Sequence, residues 1–551
     1  MALTGTARRA ARPSGWAVAA VVVALLLVAP LLALPASFIG EGDAFGQISG
    51  TLLPDALRTS IWLALGVGVG TLALGGGLAL LVSFYDFPGR RVLDWALVLP
   101  LALPGYVLVF VVLGQFGTAT PFQSTLFGDG LRIPGIRTTT GAVVILTAVL
   151  YPYVYVLGRS AFLGQSRRTL EAARSLGLSY GQSVRRVAFP LARPALAGGV
   201  ALAVMEALAD FGTVDLLGVQ ALTSAIYRVW NGAFDEAAAL QLATVLLTFT
   251  FVLLAAERLL RGRRRYDQLL GEGDAIAPKP LRGWKRWLAA SGGWVLLAVV
   301  FVLPVVQLAA WSLETIADGT VAPSLGKAAW NTAVLAGITA VVAVAVGTLL
   351  VFGGRAARSR AARGTTRLST LGYAIPGAVV AVAVYVPLVW IDRRIISGAD
   401  SVSGSRVGLF FTGSILGLII AYLVRFNALS FLAIDSRMSR IDPHLDDAAR
   451  ALGADRARVL ADVHLPLLKP GILAGGMLVL VEVMKELPAT ALLRPLGHDT
   501  LAITVWEATK DSRLAAAALP ALLIVLVGLL PVILLVKLLR SEGWSSAAEH
   551  L

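Results

Sequence analysis

Apolar residues along this chain gather in runs of twenty or more positions, each long enough to cross a hydrocarbon core of about 30 Å as a helix. The first occupies 16–38, and five more lie near 58–84, 92–114, 140–163, 195–219 and 238–260. A polar stretch, 261–287, then opens Arg-Gly-Arg-Arg-Arg and carries Pro278 and Pro280 as breakers. Beyond it a second set follows near 289–313, 329–354, 369–391, 408–432, 471–493 and 516–538. The pattern predicts an all-α integral membrane protein of about twelve transmembrane helices in two six-helix halves. Their expected bounds are 1–260 and 289–551, joined by a linker over 261–288. The first run is longer than the 7–15-residue core of a signal peptide, so an uncleaved first span is expected.

The halves share a repeat. Residues 171–190 read EAARSLGLSYGQSVRRVAFP, and 447–466 read DAARALGADRARVLADVHLP. At one offset of 276 positions Glu171 answers to Asp447, Ala172 and Ala173 to Ala448 and Ala449, Gly177 to Gly453, and Pro190 to Pro466. The register holds for about sixty residues through Pro194 and Pro470, Glu206 and Glu482, Asp210 and Glu486, and Trp230 and Trp506, which marks a duplicated unit. Each copy predicts two short helices lying along the membrane face. Gly177 or Gly453 permits the turn between them, and Pro190 or Pro466 ends the second before the next span. Basic side chains (Arg174, Arg185 and Arg186; Arg450, Arg456 and Arg458) make both copies candidate docking surfaces.

Composition agrees with a membrane chain, at 57% hydrophobic and 15% charged residues. The net charge of +14 follows from 47 Lys and Arg against 33 Asp and Glu. Such a balance would suggest nucleic acid in a soluble protein. Here it is better explained by basic loops kept on the cytoplasmic side, so no nucleic-acid partner is expected. Arg90, Arg91, both repeated stretches, the linker and 355–367 fall on one side, which places both termini in the cytoplasm; Arg393, Arg394 and Arg406 dissent. Glycines inside the spans, as at Gly66, Gly68, Gly70 and Gly75 to Gly77, are expected at close helix contacts. There is no cysteine, and the four histidines are scattered without a metal-binding pairing.

The repeated stretches resemble the EAA loop of ABC-importer permeases: EAA, three residues, Gly, nine residues, then a hydrophobic–x–hydrophobic–Pro ending. Glu171, Ala172, Ala173, Gly177, Val187, Phe189 and Pro190 fit it; Asp447, Ala448, Ala449, Gly453, Val463, Leu465 and Pro466 fit with Asp for Glu. The resemblance implies the type I importer permease fold in the inner membrane, and docking of these loops on a dimer of ABC ATPase subunits. It also implies a periplasmic or lipid-anchored substrate-binding protein as a further partner. Stretches 206–220 and 482–506 are most similar to permeases of bacterial ferric-iron importers; similar fused permeases serve thiamine and aminoalkylphosphonates. Loops near 118–140, 220–236 and 494–513 are the expected landing site of the binding protein.

The chain has no phosphate-binding loop of the form GxxxxGK[ST]: of its seven lysines only Lys327 follows a glycine, and Ala328 stands where Ser or Thr is required. ATP and magnesium are therefore expected on the partner, with no cofactor or catalysis on this chain. Glu206 and Asp210, with Glu482, Lys485 and Glu486, fall near the expected midplane, where ionisable groups mark functional sites. The spacing puts Glu206 and Asp210 on one helix face. These residues are candidates either for an interhelical brace or for a translocation path making transient contacts with a metal, short of a closed metal cage. A secondary transporter shares the composition and the midplane charges but offers no reason for two docking loops on one face.

Overall fold

The computed structural model describes residues 14–38, 44–116, 135–233, 235–261, 278–357, 359–403 and 408–544. Outside them lie Arg8, Arg9, Arg12, Arg406, His550, most of the loop 118–140 and the linker residues 262–277. Among the described residues everything regular is helical except one two-residue parallel pair, Tyr85–Asp86 with Lys279–Pro280. It ties the end of the linker to the turn after the second span, where the Leu281 N–H donates to the Asp86 carbonyl at 3.0 Å.

Among the described residues ten helices are long and apolar enough to cross a membrane, and two bent pairs bring the total to twelve if each counts once. The bent pairs correct the runs 92–114 and 369–391, which are not straight crossings. Arg90–Ala102 meets Gly105–Gln115 at 90°, and Ala361–Ala374 meets Gly377–Asp400 at 120°. Pro104 and Pro376 stand at the corners and push the preceding Leu103 and Ile375 out of helical geometry (ψ 106° and 130°). Two further expectations fail at their C-terminal ends. The spans expected over 195–219 and 471–493 stop at Ala209 and Met484.

The chain divides into two compact units. One comprises Ser37–Thr332, Pro376–Val382 and Met484–Leu551. Its core is aromatic: Phe84, Phe110, Tyr151, Tyr155, Phe162 and Phe211 are all fully buried. The helix Thr139–Leu163 runs through its centre. Gly66 and Gly70 meet Val143 and Thr147 of that helix so closely that a Cβ at either would sit 2.8 or 2.6 Å from them, as expected for small residues at a helix contact. Gly77 does not share this role, having open space at its Cβ position. The other unit comprises Met1–Ala36, Ala333–Ile375 and Ala383–Val483. There the first helix packs through Ala20 and Ala24 against Leu350, Phe352, Phe431 and Ile434.

Candidate functional site

Each candidate docking loop is built by its own sequence. In the first, Ser166 caps the helix Arg167–Ser175 by accepting the Arg168 N–H at 3.2 Å. In the second, Asp442 caps Pro443–Ala451 through the His444 N–H at 2.9 Å. Both helices end in the same closing motif. Gly177 donates to the Arg174 carbonyl at 2.9 Å and Leu178 to Ala173 at 3.3 Å; Gly453 donates to Arg450 and Ala454 to Ala449, each at 3.0 Å. This double bond satisfies carbonyls that a helix end would otherwise leave bare, and it requires left-handed backbone at the glycine. The φ angles are +90° at Gly177 and +86° at Gly453. Ala172 and Ala448 accept one more bond each, from Leu176 and Leu452. Glu171 and Asp447 stand exposed, the latter bonded to Arg450 at 3.0 Å. At the tips Leu176 and Leu452 are 86% and 90% exposed, one apolar knob per loop at equivalent positions.

A second helix then starts in each loop, capped by Ser179 with Gln182 in a reciprocal pair and by Asp455 on the Arg458 N–H at 2.8 Å. Pro190 and Pro466 do not end it. The helix runs on into the span as Tyr180–Ala209 or Arg456–Met484. Wider π turns, Val184–Ala188 and Val459–His464, precede each proline. An α-helical proline clashes with the carbonyl four residues back. The π turns shift the ladder to five residues here, so Phe189 donates to Val184 and Leu465 to Leu460, and the helix continues.

The loops are anchored by different chemistry. In the first, buried Leu170 and Ala173 face inward, the Tyr180 hydroxyl donates to the Phe84 carbonyl at 2.9 Å, and Gln165 Nε2 donates to Ala188 at 2.9 Å. Nearby, Arg159 grips Asp94 with two bonds of 2.5 and 2.7 Å and so holds the first arm of the bent pair. In the second loop, Asp446 takes the place of Leu170 and His464 that of Ala188. Asp446 receives Arg355 Nε at 3.0 Å and Nη2 at 3.2 Å, and lies 2.7 Å from His464 Nε2. Arg355 Nη1 also donates to the Met438 and Ile441 carbonyls at 3.1 and 3.0 Å, joining two spans to the docking helix. Burial would raise the Asp446 carboxyl, but hydrogen bonds from Arg355 and His464 outweigh it and hold the group below the ordinary carboxylate range. This cluster escaped sequence reading because Arg355 lies 91 residues from Asp446.

At the ends of the two spans away from the loops the carboxylates divide. Asp210 is not on one helix face with Glu206: the helix ends at Ala209, and Asp210 is extended (ψ 118°). Its side chain accepts the Thr213 N–H at 2.7 Å and the Thr213 hydroxyl at 3.0 Å, starting the short helix Gly212–Leu216. Glu486, buried, does the same for Pro488–Leu493, accepting Ala489 N–H at 2.8 Å, Thr490 N–H at 3.0 Å and the Thr490 hydroxyl at 2.6 Å. Asp210 and Glu486 thus hold first-turn N–H groups of the short helix that follows each break in the span. Glu206 and Glu482 stay within their helices, half-buried, and Lys485 follows the second helix, its carbonyl 3.4 Å from the Tyr106 hydroxyl. Among the described residues no three His, Cys, Asp or Glu side chains gather to hold a metal. Removing a cap of this kind costs about 0.5–2 kcal/mol, more where buried N–H groups lose their partner. Glu486→Ala is therefore expected to lower the melting temperature more than Glu482→Ala, measured on purified protein.

The stretches 220–236 and 494–513 prove largely folded rather than looped. Leu222–Arg228 and Leu501–Lys510 are helices with most of their residues buried. From Leu501–Lys510 the Trp506 indole donates to Asp215 of the short helix Gly212–Leu216 at 3.0 Å, and Lys510 lies 3.5 Å from the same carboxylate. Leu496, fully exposed, remains at a tip.

The profile of the binding-protein-dependent transport system inner membrane component matches residues 72–266 and 343–541, one docking loop in each match. The chain belongs to this family. It is thus a multi-pass inner-membrane permease subunit of an ABC importer, a transport component. Among its relatives, the Fe(3+)-transport system permease protein FbpB 2 of Haemophilus influenzae is 27% identical over 96% of this chain and 99% of its own. The ferric transport system permease protein FbpB of Actinobacillus pleuropneumoniae is 23% identical over 90% and 72%. A probable molybdenum permease of Haloferax volcanii is 35% identical, but over 29% of this chain and 56% of its own. The sulfate permease CysT of Salmonella typhimurium is 27% identical over 44% and 89%.

Proposed function

We propose that this permease carries ferric iron from a soluble binding protein into the cytoplasm, driven by a dimer of ATPase subunits seated on the two docking loops. ATP and magnesium act on those subunits, and this chain contributes no catalytic group. The basic loops put both termini and both docking loops on the cytoplasmic side. The observation that carries the iron reading is coverage. The ferric relatives span both halves of the chain, whereas the molybdenum and sulfate relatives match half or less. Chemistry favours the same side. Glu206 and Glu482 are hard oxygen donors of the kind that attract a trivalent cation and repel sulfate or molybdate.

With Asp210 and Glu486 committed to capping, the path reading narrows to Glu206 and Glu482. A single carboxylate attracts a cation without caging it, as conduction requires binding weak enough to leave. The test is uptake by cells expressing the permease with its ATPase and binding protein, offered radiolabelled ferric iron, molybdate, sulfate or thiamine. Iron alone should accumulate, and the double variant Glu206→Gln/Glu482→Gln should accumulate at least tenfold less, because even one lost charge-assisted contact is worth about 1.5–3 kcal/mol. Accumulation of an oxyanion or thiamine instead would overturn the iron assignment.

A further inference from the structure

A groove runs along the membrane face between the helices Ala44–Thr71, Phe189–Ala209 and Glu236–Arg261. Its volume is about 520 Å³, within the 300–1,000 Å³ usual for small-molecule sites. The walls are apolar throughout, from Leu65 and Val69 across Ala197 and Val200 to Leu253, with two exceptions. Arg193 and Glu257 are the charged residues of the lining, and both stand at one end. Arg193 follows Pro190 of the first docking loop by three residues, and Glu257 lies four residues before the end of the neighbouring helix, Arg261. Away from these charges Ala64, Val204 and Leu208 pack together, with Phe249 and Leu253 against them.

Length and charge together define an occupant. From Arg193 to Met205 the groove follows twelve residues of helix, about 18 Å at 1.5 Å per residue. That is little more than half of a hydrocarbon core of about 30 Å, so the groove spans one leaflet and stops near the midplane. A flat lipid-facing surface would meet tails anywhere. This one is lined by three helices, and its lining carries one cation and one anion where the third helix joins it, with a long arginine able to reach the interface. One cation and one anion in the same lining match a zwitterion: phosphate at the Arg193 guanidinium, ammonium at the Glu257 carboxylate.

We propose that this groove is a binding site for an aminophospholipid of the docking-loop leaflet, with one acyl chain inserted between the three helices and the headgroup held by Arg193 and Glu257. The site rests on the membrane-permease reading and lies against the helix that leaves the first docking loop. A lipid wedged there is placed to brace that helix as the loop moves.

The test uses the full-length permease in vesicles containing phosphatidylethanolamine with a photoreactive acyl chain, or phosphatidylglycerol bearing the same chain, followed by peptide mapping. Phosphatidylethanolamine should label 193–205 and 249–257 well above the exposed surface around Trp330. Ala197→Trp, which fills the groove, should abolish the excess. Arg193→Gln, an exposed position where folding is not at risk, should weaken it roughly tenfold, the value of one charge-assisted contact. Unchanged labelling in both variants, or equal labelling by phosphatidylglycerol, would overturn the proposal. Because labelling needs no transport, a failure here is separable from a failure of the importer assignment.

Discussion

Valine at Gly177 or Gly453 is expected to uncouple ATP hydrolysis from uptake while leaving the spans inserted. At φ of +90° and +86° both glycines hold backbone that an L side chain resists. The penalty is about 1–2 kcal/mol for an ordinary residue and greater for a β-branched one. No atom lies within 4 Å of a Cβ built at either position, so the penalty comes from the turn alone and not from a clash. The two bonds that close each docking helix would then be lost together. Asparagine, which tolerates the left-handed region, should retain most of the coupling. The measurement is uptake per ATP hydrolysed with the partner ATPase present: valine should lower the ratio several-fold, asparagine little. Normal ratios in both valine variants would show that the turn does not transmit force.

Asp446→Asn should weaken the second docking loop and leave the first untouched. The Asp446 side chain is 11% exposed and the Arg355 side chain 18%, so the pair is largely dry. Loss of one partner from such a pair costs roughly 2–3 kcal/mol, at the low end for buried pairs because Arg355 keeps two backbone carbonyls and some access to water. Replacing Asp446, Arg355 and His464 together with apolar residues, imitating Leu170 and Ala188 of the first loop, should recover much of that loss, since a packed apolar contact often replaces a buried ion pair. The pH dependence has a defined sign. The folded carboxyl lies below its unfolded value, so its contribution is complete above about pH 4 and is lost as pH falls through the folded value. The melting-temperature gap between wild type and Asp446→Asn should stay constant from neutral to about pH 5 and close below about pH 4. A gap that widened in acid would contradict the assignment.

What could be read from the chain was local. Each docking loop carries its own cap, alanines and glycine, so its turn followed from adjacent residues. Long apolar runs located the spans for the same reason, since one run of about twenty residues crosses by itself. The breaks were hidden because apolar residues continue straight through them. Leu103-Pro104-Gly105 and Ile375-Pro376-Gly377 form a second internal repeat, at an offset of 272 rather than 276, and that repeat was the signal for the two bends. Asp210 and Glu486 read as midplane charges because helical periodicity was carried past Ala209 and Met484, although Thr213 and Thr490 stand ready as cap partners. Pro190 and Pro466 read as stops because a π turn has no sequence signature of its own. The Asp446 cluster depends on partners from distant spans, which only the fold brings together.

The central claim is that two equivalent loops of one chain receive a partner ATPase. With no native cysteine, single cysteines replacing Leu176 and Leu452 test it most directly. Each tip is almost fully exposed, so neither substitution disturbs packing. Both cysteines should crosslink to the ATPase subunit, and the yield should change when ATP is added. Crosslinks to the substrate-binding protein in place of the ATPase, or none from either position, would contradict the account.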